Sequence, residues 1–577
     1  MNVLNSLFRH KFGVFVILFI IGFLFFGNVV KGPFILDDFS LIVNNESIQS
    51  FDNMSDWFVS DRLEGSSFDG NVYRPVTTVV HAVMYSVFEL DHGAYHILNI
   101  LIHVLNSFLV FLLLGRFGFK RAIGMLLAML FLVHPVQVES VSYIAGLPDV
   151  LSATFVLLGL LIFTNKKIEP SMYLVLGIVF VLGLFSKESA LALLPLAGAT
   201  MLCRGNNGKW KGLLVLIGVA AVYLILRFTV LNFSDEGLLA GLSSLENEYT
   251  GSVFVRLMTF ASVLWEYFLL IVFPLKLHFI KEVGPVMTLW SGGGIFGVLV
   301  ILGWGGLGMW KFFGGKKIGE KNREMRVGAL SFLWFFGELI PVMGLVPLNT
   351  VYAERFLYLP IIGILILLGF CIQKFWSEKS AKAICIGGMI LVFVLGARTT
   401  DRNRDWVDVL EFYKNEIKYN ENSPRINHEL GVAHFLKGNI QQAVVYYKKT
   451  IELMPEFAYV HYNLANAYMN LSEVGEGYIT GVGDESCDEE THEGHDHEVL
   501  GAELMDDEEI GENETEAEKP FNSEYVELAI QEYYKAIELN PDLADAYKAL
   551  YQVYFYIVGD KGRAEEVLRS LPDFARM

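Results

Sequence analysis

The chain has 577 residues, of which 53% are apolar and only 19% charged. Soluble domains average about 45–50% apolar and about 25% charged residues, so this composition excludes an ordinary soluble protein. The formal net charge is −19, but residues 473–524 hold 20 acidic residues and a single Lys, and the rest of the chain is balanced. The negative charge therefore belongs to one insert, and nothing in the composition indicates a nucleic-acid partner. The four Cys form no CxxC pair, which argues against a disulfide framework or a Cys-based zinc site.

Long apolar runs predict a polytopic membrane protein, because about 20 apolar residues cross a bilayer. The first run, 12–30, follows Arg9 and Lys11 and is followed by no small-x-small cleavage site, so it reads as an uncleaved anchor rather than a signal peptide. The runs predict about 11 spans, near 12–30, 95–115, 120–135, 149–165, 170–186, 189–203, 211–232, 289–312, 327–346, 357–375 and 381–398.

The basic residues between these runs predict the orientation, because Lys and Arg accumulate in cytoplasmic loops. Eleven crossings place every basic cluster inside, with a cytoplasmic N-terminus and everything after residue 398 external. The apolar segment 257–275 contains Glu266 and breaks this alternation if it is counted as a span. We interpret it as re-entrant or interfacial; the alternative is that a neighbouring span is misassigned.

After residue 398 the chain becomes polar and shows TPR-type repeats. Leu430, Gly431, Ala443, Tyr447 and Pro455 fall on signature positions of the roughly 34-residue TPR pattern. A second unit starts at residue 458 and resumes only at 525, after the acidic insert, and a third degenerate unit covers 544–573. About three units are the minimum for a stable stack. We therefore predict two domains: a transmembrane domain at 1–398 and an external α-solenoid at 399–577.

The insert at about 473–524 is rich in Asp and Glu, and we predict that it is disordered. It contains HEGHDHE at 492–498. One interpretation is a labile metal-binding tract, and the other is a solvated acidic loop with incidental His. The irregular spacing fixes no coordination geometry and favours the second interpretation.

Two adjacent aspartates, Asp37 and Asp38, follow the first span in FILDDFSLIVNNESI. Neighbouring carboxylates repel, and partial burial at the membrane surface raises a carboxyl pKa further, which suits a general base. The pair also suits a divalent cation, which prefers oxygen ligands. Asp at the end of a span is also common as an ordinary turn residue.

Four further segments predicted to be external carry polar residues. Arg74, in YRPVTTVVH, could clamp a phosphate or be an ordinary interfacial Arg. Segment 134–149 holds His134, Glu139 and Asp149 on what reads as one Pro-broken turn. His81, His96 and His103 read as hydrogen-bonded helix-interior residues rather than ligands.

The last two segments carry neighbouring acid and base residues. Lys187 and Glu188 are adjacent, so they cannot pair well with one another on a helix, and each needs a partner elsewhere or water. Glu354 and Arg355 precede the tenth run. Arg355 is external on this topology and suits a phosphate ligand; the alternative is a structural pair with Glu354 or Glu338.

Five motifs in this order, followed by TPR units, resemble one family. They are DDFSLIVNNESI, YRPVTT, HPVQVESVSYIAGLPDVLSATFVLL, FSKESALALLPL and VYAERFLYLP. Together they resemble the transmembrane and TPR-containing O-mannosyltransferases, the TMTC family, and their prokaryotic relatives, over nearly the whole chain. The short loops and few TPR units favour a prokaryotic relative. This chain has Gly146-Leu147-Pro148-Asp149 where the family has a Gly-Arg-Ala-Asp type turn, so its Arg is missing.

The resemblance implies a GT-C glycosyltransferase fold and an inverting transfer of a sugar, mannose above all, from a polyprenyl-phosphate donor to an acceptor hydroxyl on protein. It implies that Asp37 and Asp38 lie at the catalytic centre, with Asp37 as the favoured base. We expect Arg355, then Lys187 and Arg74, to bind the donor phosphate, supported by Glu139, His134, Asp149, Glu188 and Glu354. No cofactor is implied with certainty, and a divalent cation at the aspartate pair is one option.

The expected partners are the lipid donor, an acceptor polypeptide held by the TPR domain, and the bilayer. The expected location is the cytoplasmic membrane with the TPR domain outside, or the ER membrane with a lumenal TPR domain in a eukaryote. A non-catalytic, membrane-anchored TPR scaffold for envelope protein assembly is the competing hypothesis. A transporter ranks last, because no inverted membrane repeats are evident.

Overall fold

The computed structural model of this protein describes residues 10–62, 72–165, 168–204, 209–231, 248–281, 283–288, 290, 293–305, 321–345, 350–473 and 521–571. Over these residues every regular element is a helix, as the all-α prediction requires. The chain divides into two compact units, Met1–Asp408 and Val409–Met577. Most of the acidic insert, with its HEGHDHE motif, lies outside the described residues.

The first unit is built from apolar helices joined by short 3₁₀ and π segments. In chain order its described α-helices are Lys11–Phe26, Pro75–Phe88, His92–Phe117, Arg121–Val133, Val138–Ser142, Leu147–Phe163, Pro170–Ser186, Leu193–Arg204, Trp210–Phe228, Glu248–Gly251, Val253–Val272, Gly294–Val300, Lys321–Leu339, Ile361–Phe375 and Glu378–Asn403.

Fewer of these helices than predicted have the length and composition of a complete span. Six do in the described chain: Lys11–Lys31, His92–Phe117, Ile144–Phe163, Trp210–Phe228, Val253–Val272 and Glu378–Trp406. Arg121–Val133 and Pro135–Ser142 make a seventh if this pair, bent by 53°, is one span. Shorter apolar helices occupy most of the remaining predicted spans, so a multi-pass protein is supported but eleven spans are not confirmed.

Two segments differ from the sequence prediction. The segment 31–94, which lies between the first two predicted spans, contains the helix Pro75–Phe88. The sequence indicates a helix at His81 but does not delimit this one, because its first turns are rich in Thr and Val rather than in strong helix formers. The segment interpreted as re-entrant is one continuous 20-residue helix, Val253–Val272, long enough to span. Its Glu266 forms an ion pair with Lys281, which compensates the charge of this side chain.

The helix His92–Phe117 lies at the centre of the first unit and packs against the first span, Arg121–Val133 and Leu147–Phe163. Buried polar side chains join it to its neighbours. Nδ1 of His103 lies 2.7 Å from Oη of Tyr358 and its Nε2 lies 2.9 Å from the carbonyl of Leu132. Asn106 donates to the carbonyl of Val150 and to the same Tyr358 hydroxyl. Hydrogen bonds of this kind hold helices together where lipid removes the hydrophobic contribution.

The second unit is a stack of helical hairpins. Its described α-helices are Val409–Glu416, Pro424–Leu436, Ile440–Leu453, Ala458–Glu473, Ser523–Leu539, Ala544–Gln552 and Lys561–Ser570. Ala458–Glu473 packs directly on Ser523–Leu539, so the acidic insert interrupts one repeat, as predicted. Gly431 is required where two helices meet, since a Cβ there would lie 2.4 Å from a ring carbon of Tyr447.

Candidate functional site

The aspartate pair follows a strained turn after the first span. Leu36, directly before Asp37, has a φ of 53°. A bulky L-residue rarely adopts this left-handed conformation, which costs on the order of 1–3 kcal/mol and is concentrated at functional sites. The turn gives the two aspartates opposite environments.

Asp38 is buried and anchors the loop. Its Oδ2 accepts a hydrogen bond from the backbone N–H of Ile35 at 3.0 Å, and its Oδ1 accepts one from that of Ala145 at 2.7 Å. Burial raises the pKa of Asp38 well above its ordinary value, and these two bonds offset only part of that effect. Asp38 therefore holds the loop against the turn at Ala145.

Asp37 is exposed, and its carboxylate receives no hydrogen bond from the described residues. Its position is fixed through the backbone, because its N–H donates to Oη of Tyr143 at 3.0 Å. A carboxylate held in place by its main chain, with both oxygens available, has the arrangement that a general base needs.

Each of the three cations predicted to bind phosphate is paired with one of the predicted supporting acids. Arg355 contacts Glu139 twice: Nη1 donates to Oε1 at 2.6 Å and the backbone N–H donates to Oε2 at 2.9 Å. The Glu139 side chain is fully buried, whereas the Arg355 side chain is 23% exposed. The sequence left open a structural pair of Arg355 with Glu354 or Glu338. The carboxylate that pairs with Arg355 in the structure is that of Glu139.

The adjacent Lys187 and Glu188 face different partners, as the spacing argument required. Nζ of Lys187 lies 2.6 Å from Oδ1 of Asp149, and Nη2 of Arg74 lies 3.2 Å from Oε2 of Glu188. These contacts join the start of Leu147–Phe163, the turn after Pro170–Ser186 and the residue that precedes Pro75–Phe88. Burial lowers the pKa of Lys187, and the Asp149 carboxylate opposes that shift.

Two predicted supporting residues have structural contacts instead. Nε2 of His134 lies 3.0 Å from the carbonyl of Ile271, and its Nδ1 accepts the N–H of Val136 at 3.3 Å, so both ring nitrogens fix the bend in the chain. Glu354 accepts the backbone N–H of His278 and faces Arg402 at 3.9 Å. These contacts place His134 and Glu354 in the scaffold that supports Arg355.

Electrostatic interactions connect the ion pairs with the aspartate loop. Arg355 interacts with Asp149 and Asp37 as well as with Glu139. Lys187 interacts with Arg74 and Arg355. The structure therefore brings Asp37, Asp38, Arg74, Glu139, Asp149, Lys187, Glu188 and Arg355 into one network of interacting charges within the first unit.

Two members of the site were missed from the sequence. Tyr143 fixes the backbone of Asp37, and Arg62 interacts with Asp37, Glu188 and Arg74. Neither residue lies in a recognisable charge pattern, so only the fold could reveal them. Among the residues that the structure describes, no group of three or more His, Cys, Asp or Glu is arranged to hold a metal ion.

Comparison with known proteins finds similarity over both units. The TPR repeat family model matches residues 433–472. A Caenorhabditis elegans protein named Protein O-mannosyl-transferase F38B6.6 is 28% identical over 458 residues, which cover 74% of this chain and 61% of that protein. The mouse and human proteins named Protein O-mannosyl-transferase TMTC3 are each 24% identical, over 76% and 77% of this chain.

The aligned region spans about half to three fifths of the length of these relatives: 61%, 51% and 52%. Similarity of this extent confirms the family resemblance that the five motifs indicated.

Proposed function

We propose that this homologue of the TMTC protein O-mannosyl-transferases is a membrane glycosyltransferase that moves mannose from a polyprenyl-phosphate donor to a hydroxyl on protein. The observation that carries the proposal is that the two adjacent aspartates have different environments. Asp38 is buried and anchored, while Asp37 is exposed beside a network of cations. This arrangement suits sugar transfer from a phosphate, because the base can accept the proton of the acceptor hydroxyl and the cations can stabilise the departing phosphate.

In the proposed mechanism the acceptor oxygen attacks the anomeric carbon opposite the phosphate. The new bond joins that oxygen to the anomeric carbon, and the bond from this carbon to the phosphate oxygen breaks with its electron pair. The acceptor proton passes to Asp37. The configuration at the anomeric carbon inverts because the acceptor oxygen attacks from the face opposite the departing phosphate. General-base assistance of this kind contributes about 10²–10⁴-fold in rate.

The departing polyprenyl phosphate gains negative charge and needs cations positioned to receive it. Arg355 has a side chain 23% exposed, and its position is fixed by Glu139. Lys187 and Arg74 are fixed by Asp149 and Glu188 in the same way. The acids hold the cations in place before the charge develops, which is the preorganisation that electrostatic catalysis requires.

The TPR unit supplies the acceptor site in this proposal, since stacked helical repeats form extended binding surfaces for polypeptides. We propose a GT-C fold for the first unit and an external location for the aspartate loop and the TPR unit. This arrangement keeps donor, base and acceptor in one aqueous compartment.

The test is to incubate purified full-length protein with radiolabelled polyprenyl-phosphate-mannose or polyprenyl-phosphate-glucose and an acceptor protein. The proposal predicts transfer of mannose to hydroxyl side chains of the acceptor. If neither sugar leaves the lipid under conditions in which the protein is folded, the proposal is wrong. A non-catalytic TPR scaffold would then be favoured. The two hypotheses differ for Asp37→Asn: a transferase loses turnover but keeps folding and acceptor binding, whereas a scaffold loses nothing.

A further inference from the structure

Arg62 differs from every cation so far described at the site. It follows the 3₁₀ helix Phe51–Phe58 and is 8% exposed. Its Nε and Nη2 atoms are buried without a hydrogen-bond partner among the described residues. Arg74, Lys187 and Arg355 each have a carboxylate within 3.2 Å, whereas no described carboxylate lies within 4.0 Å of Arg62.

Two residues that interact electrostatically with Arg62 also carry buried polar atoms without a partner among the described residues. Arg74 interacts with it electrostatically, and Nε of Arg74 is also buried without a partner. His81 lies on the helix Pro75–Phe88, about two turns after Arg74. It also interacts with Arg62, and its buried Nε2 has no hydrogen-bond partner among the described residues. Buried polar atoms almost always have a hydrogen-bond partner, so unpartnered polar atoms on three interacting residues indicate a binding site for an anion.

The charges agree with that interpretation. Two guanidinium groups repel one another, and burial together with Arg74 lowers the pKa of Arg62 to about 9. Burying a cation that no carboxylate contacts directly costs free energy, and an anion bound by the two guanidinium groups offsets that cost. The helix Pro75–Phe88 also begins directly after Arg74, and its N-terminus adds a partial positive charge.

We propose that Arg62 and Arg74 form the principal binding site for the phosphate of the lipid, which is a diester in the sugar donor and a monoester in the polyprenyl phosphate product, with His81 completing the site. This inference rests on the proposed function and deepens it. Arg62 also interacts with Asp37, so a phosphate bound here lies in the electrostatic field of the base. Arg355 and Lys187, each neutralised by a carboxylate at 2.6 Å, then act on the charge that develops later.

The test measures binding separately from catalysis in the full-length protein. The thermal unfolding temperature is recorded with farnesyl phosphate, with farnesol and with inorganic phosphate, for the wild type and for Arg62→Gln. Arg121→Gln is the matched control, because Arg121 is exposed and contacts the Phe111 ring rather than the site.

We expect Arg62→Gln without ligand to unfold at the wild-type temperature or above it, because a buried charge that no described carboxylate contacts has been removed. We expect its affinity for farnesyl phosphate to fall about tenfold or more, since hydrogen bonds to a charged group are stronger than those between neutral groups. Arg62→Lys keeps the positive charge but loses the planar set of guanidinium donors. We therefore expect its affinity for farnesyl phosphate to lie between those of the wild type and Arg62→Gln. Farnesol gives no shift in any variant.

A structural role for Arg62 predicts the opposite pattern: a lower unfolding temperature for Arg62→Gln and an unchanged shift with farnesyl phosphate. That result overturns the inference, and so does an equal shift with inorganic phosphate, which would assign the site to a free anion. If Arg62→Gln does not fold, unchanged affinity in Arg62→Lys also overturns it. Binding that depends on Arg62 without any sugar transfer would contradict the proposed function alone.

Discussion

Glu139 and Arg355 are 216 residues apart in the chain and are joined by two hydrogen bonds, one to the guanidinium and one to the backbone N–H. The backbone bond fixes the start of the 3₁₀ helix Glu354–Leu357, and the side-chain bond fixes the guanidinium. The buried Glu139 carboxylate thus fixes both the backbone position of Arg355 and the orientation of its guanidinium group.

This double contact predicts unequal costs for the two single substitutions. Arg355→Gln leaves a fully buried carboxylate without its cation, and breaking a buried pair costs about 3–5 kcal/mol. Glu139→Gln costs less, because the partly exposed Arg355 can reach water. The double variant should be more stable than Arg355→Gln and should still lack transferase activity. Chemical unfolding and sugar-transfer assays on all four proteins measure this, and additive losses of stability would contradict it.

Asp38 predicts a specific pH dependence of stability. Its folded-state pKa is raised by burial, so its contribution is complete below the unfolded pKa of about 3.9 and is lost as the pH rises through the raised value. Asp38→Asn does not titrate. The stability difference between wild type and Asp38→Asn should therefore be largest near pH 4 and shrink as the pH rises. Unfolding temperatures measured from pH 4 to pH 8 test this, and a difference that grows with pH contradicts it.

Gly431 predicts that the TPR unit can be weakened by itself. A Val side chain there would collide with Tyr447, and overpacking of this kind costs about 1–3 kcal/mol. Gly431→Val should lower transfer to a protein acceptor while sparing transfer to a short serine or threonine peptide. Gly562→Ala is the control, because the nearest side-chain atom to its new Cβ is at 3.4 Å. Equal losses with both acceptors would show that the TPR unit does not select the acceptor.

The proposed orientation predicts the accessibility of three surface positions. Met54 and Lys437 should be external and Lys379 cytoplasmic, and all three are exposed. Single cysteines at these positions, in a background without the four native cysteines, are labelled with an impermeant maleimide in sealed vesicles. Labelling of positions 54 and 437 from the same side, opposite to 379, is expected. Labels on opposite faces for 54 and 437 would leave the acceptor unable to reach the donor.

Local sequence rules were sufficient for the helical class and for the TPR register. They also required separate partners for Lys187 and Glu188, because neighbours on a helix do not face one another. The partners themselves depend on the fold: Arg74 lies 114 residues from Glu188. The role of Asp38 likewise depends on an N–H group 107 residues away, at Ala145.

The failures have equally local causes. The bounds of the helix Pro75–Phe88 were missed because its Thr and Val residues do not favour helix in isolation, and packing of its buried face decides the structure. Arg62 stands in an unremarkable polar loop, and the role proposed for it rests on its burial and its interaction with Arg74. Burial of a single charged residue produces no pattern that can be recognised in the amino-acid sequence.

The proposed mechanism requires Asp37 to remove the acceptor proton during sugar transfer. The decisive experiment is single-turnover transfer from labelled polyprenyl-phosphate-mannose, measured together with donor affinity for the wild type and for Asp37→Asn. The prediction is a rate lower by about 10²–10⁴-fold with donor affinity and unfolding temperature unchanged. Transfer by Asp37→Asn at the wild-type rate would contradict the account.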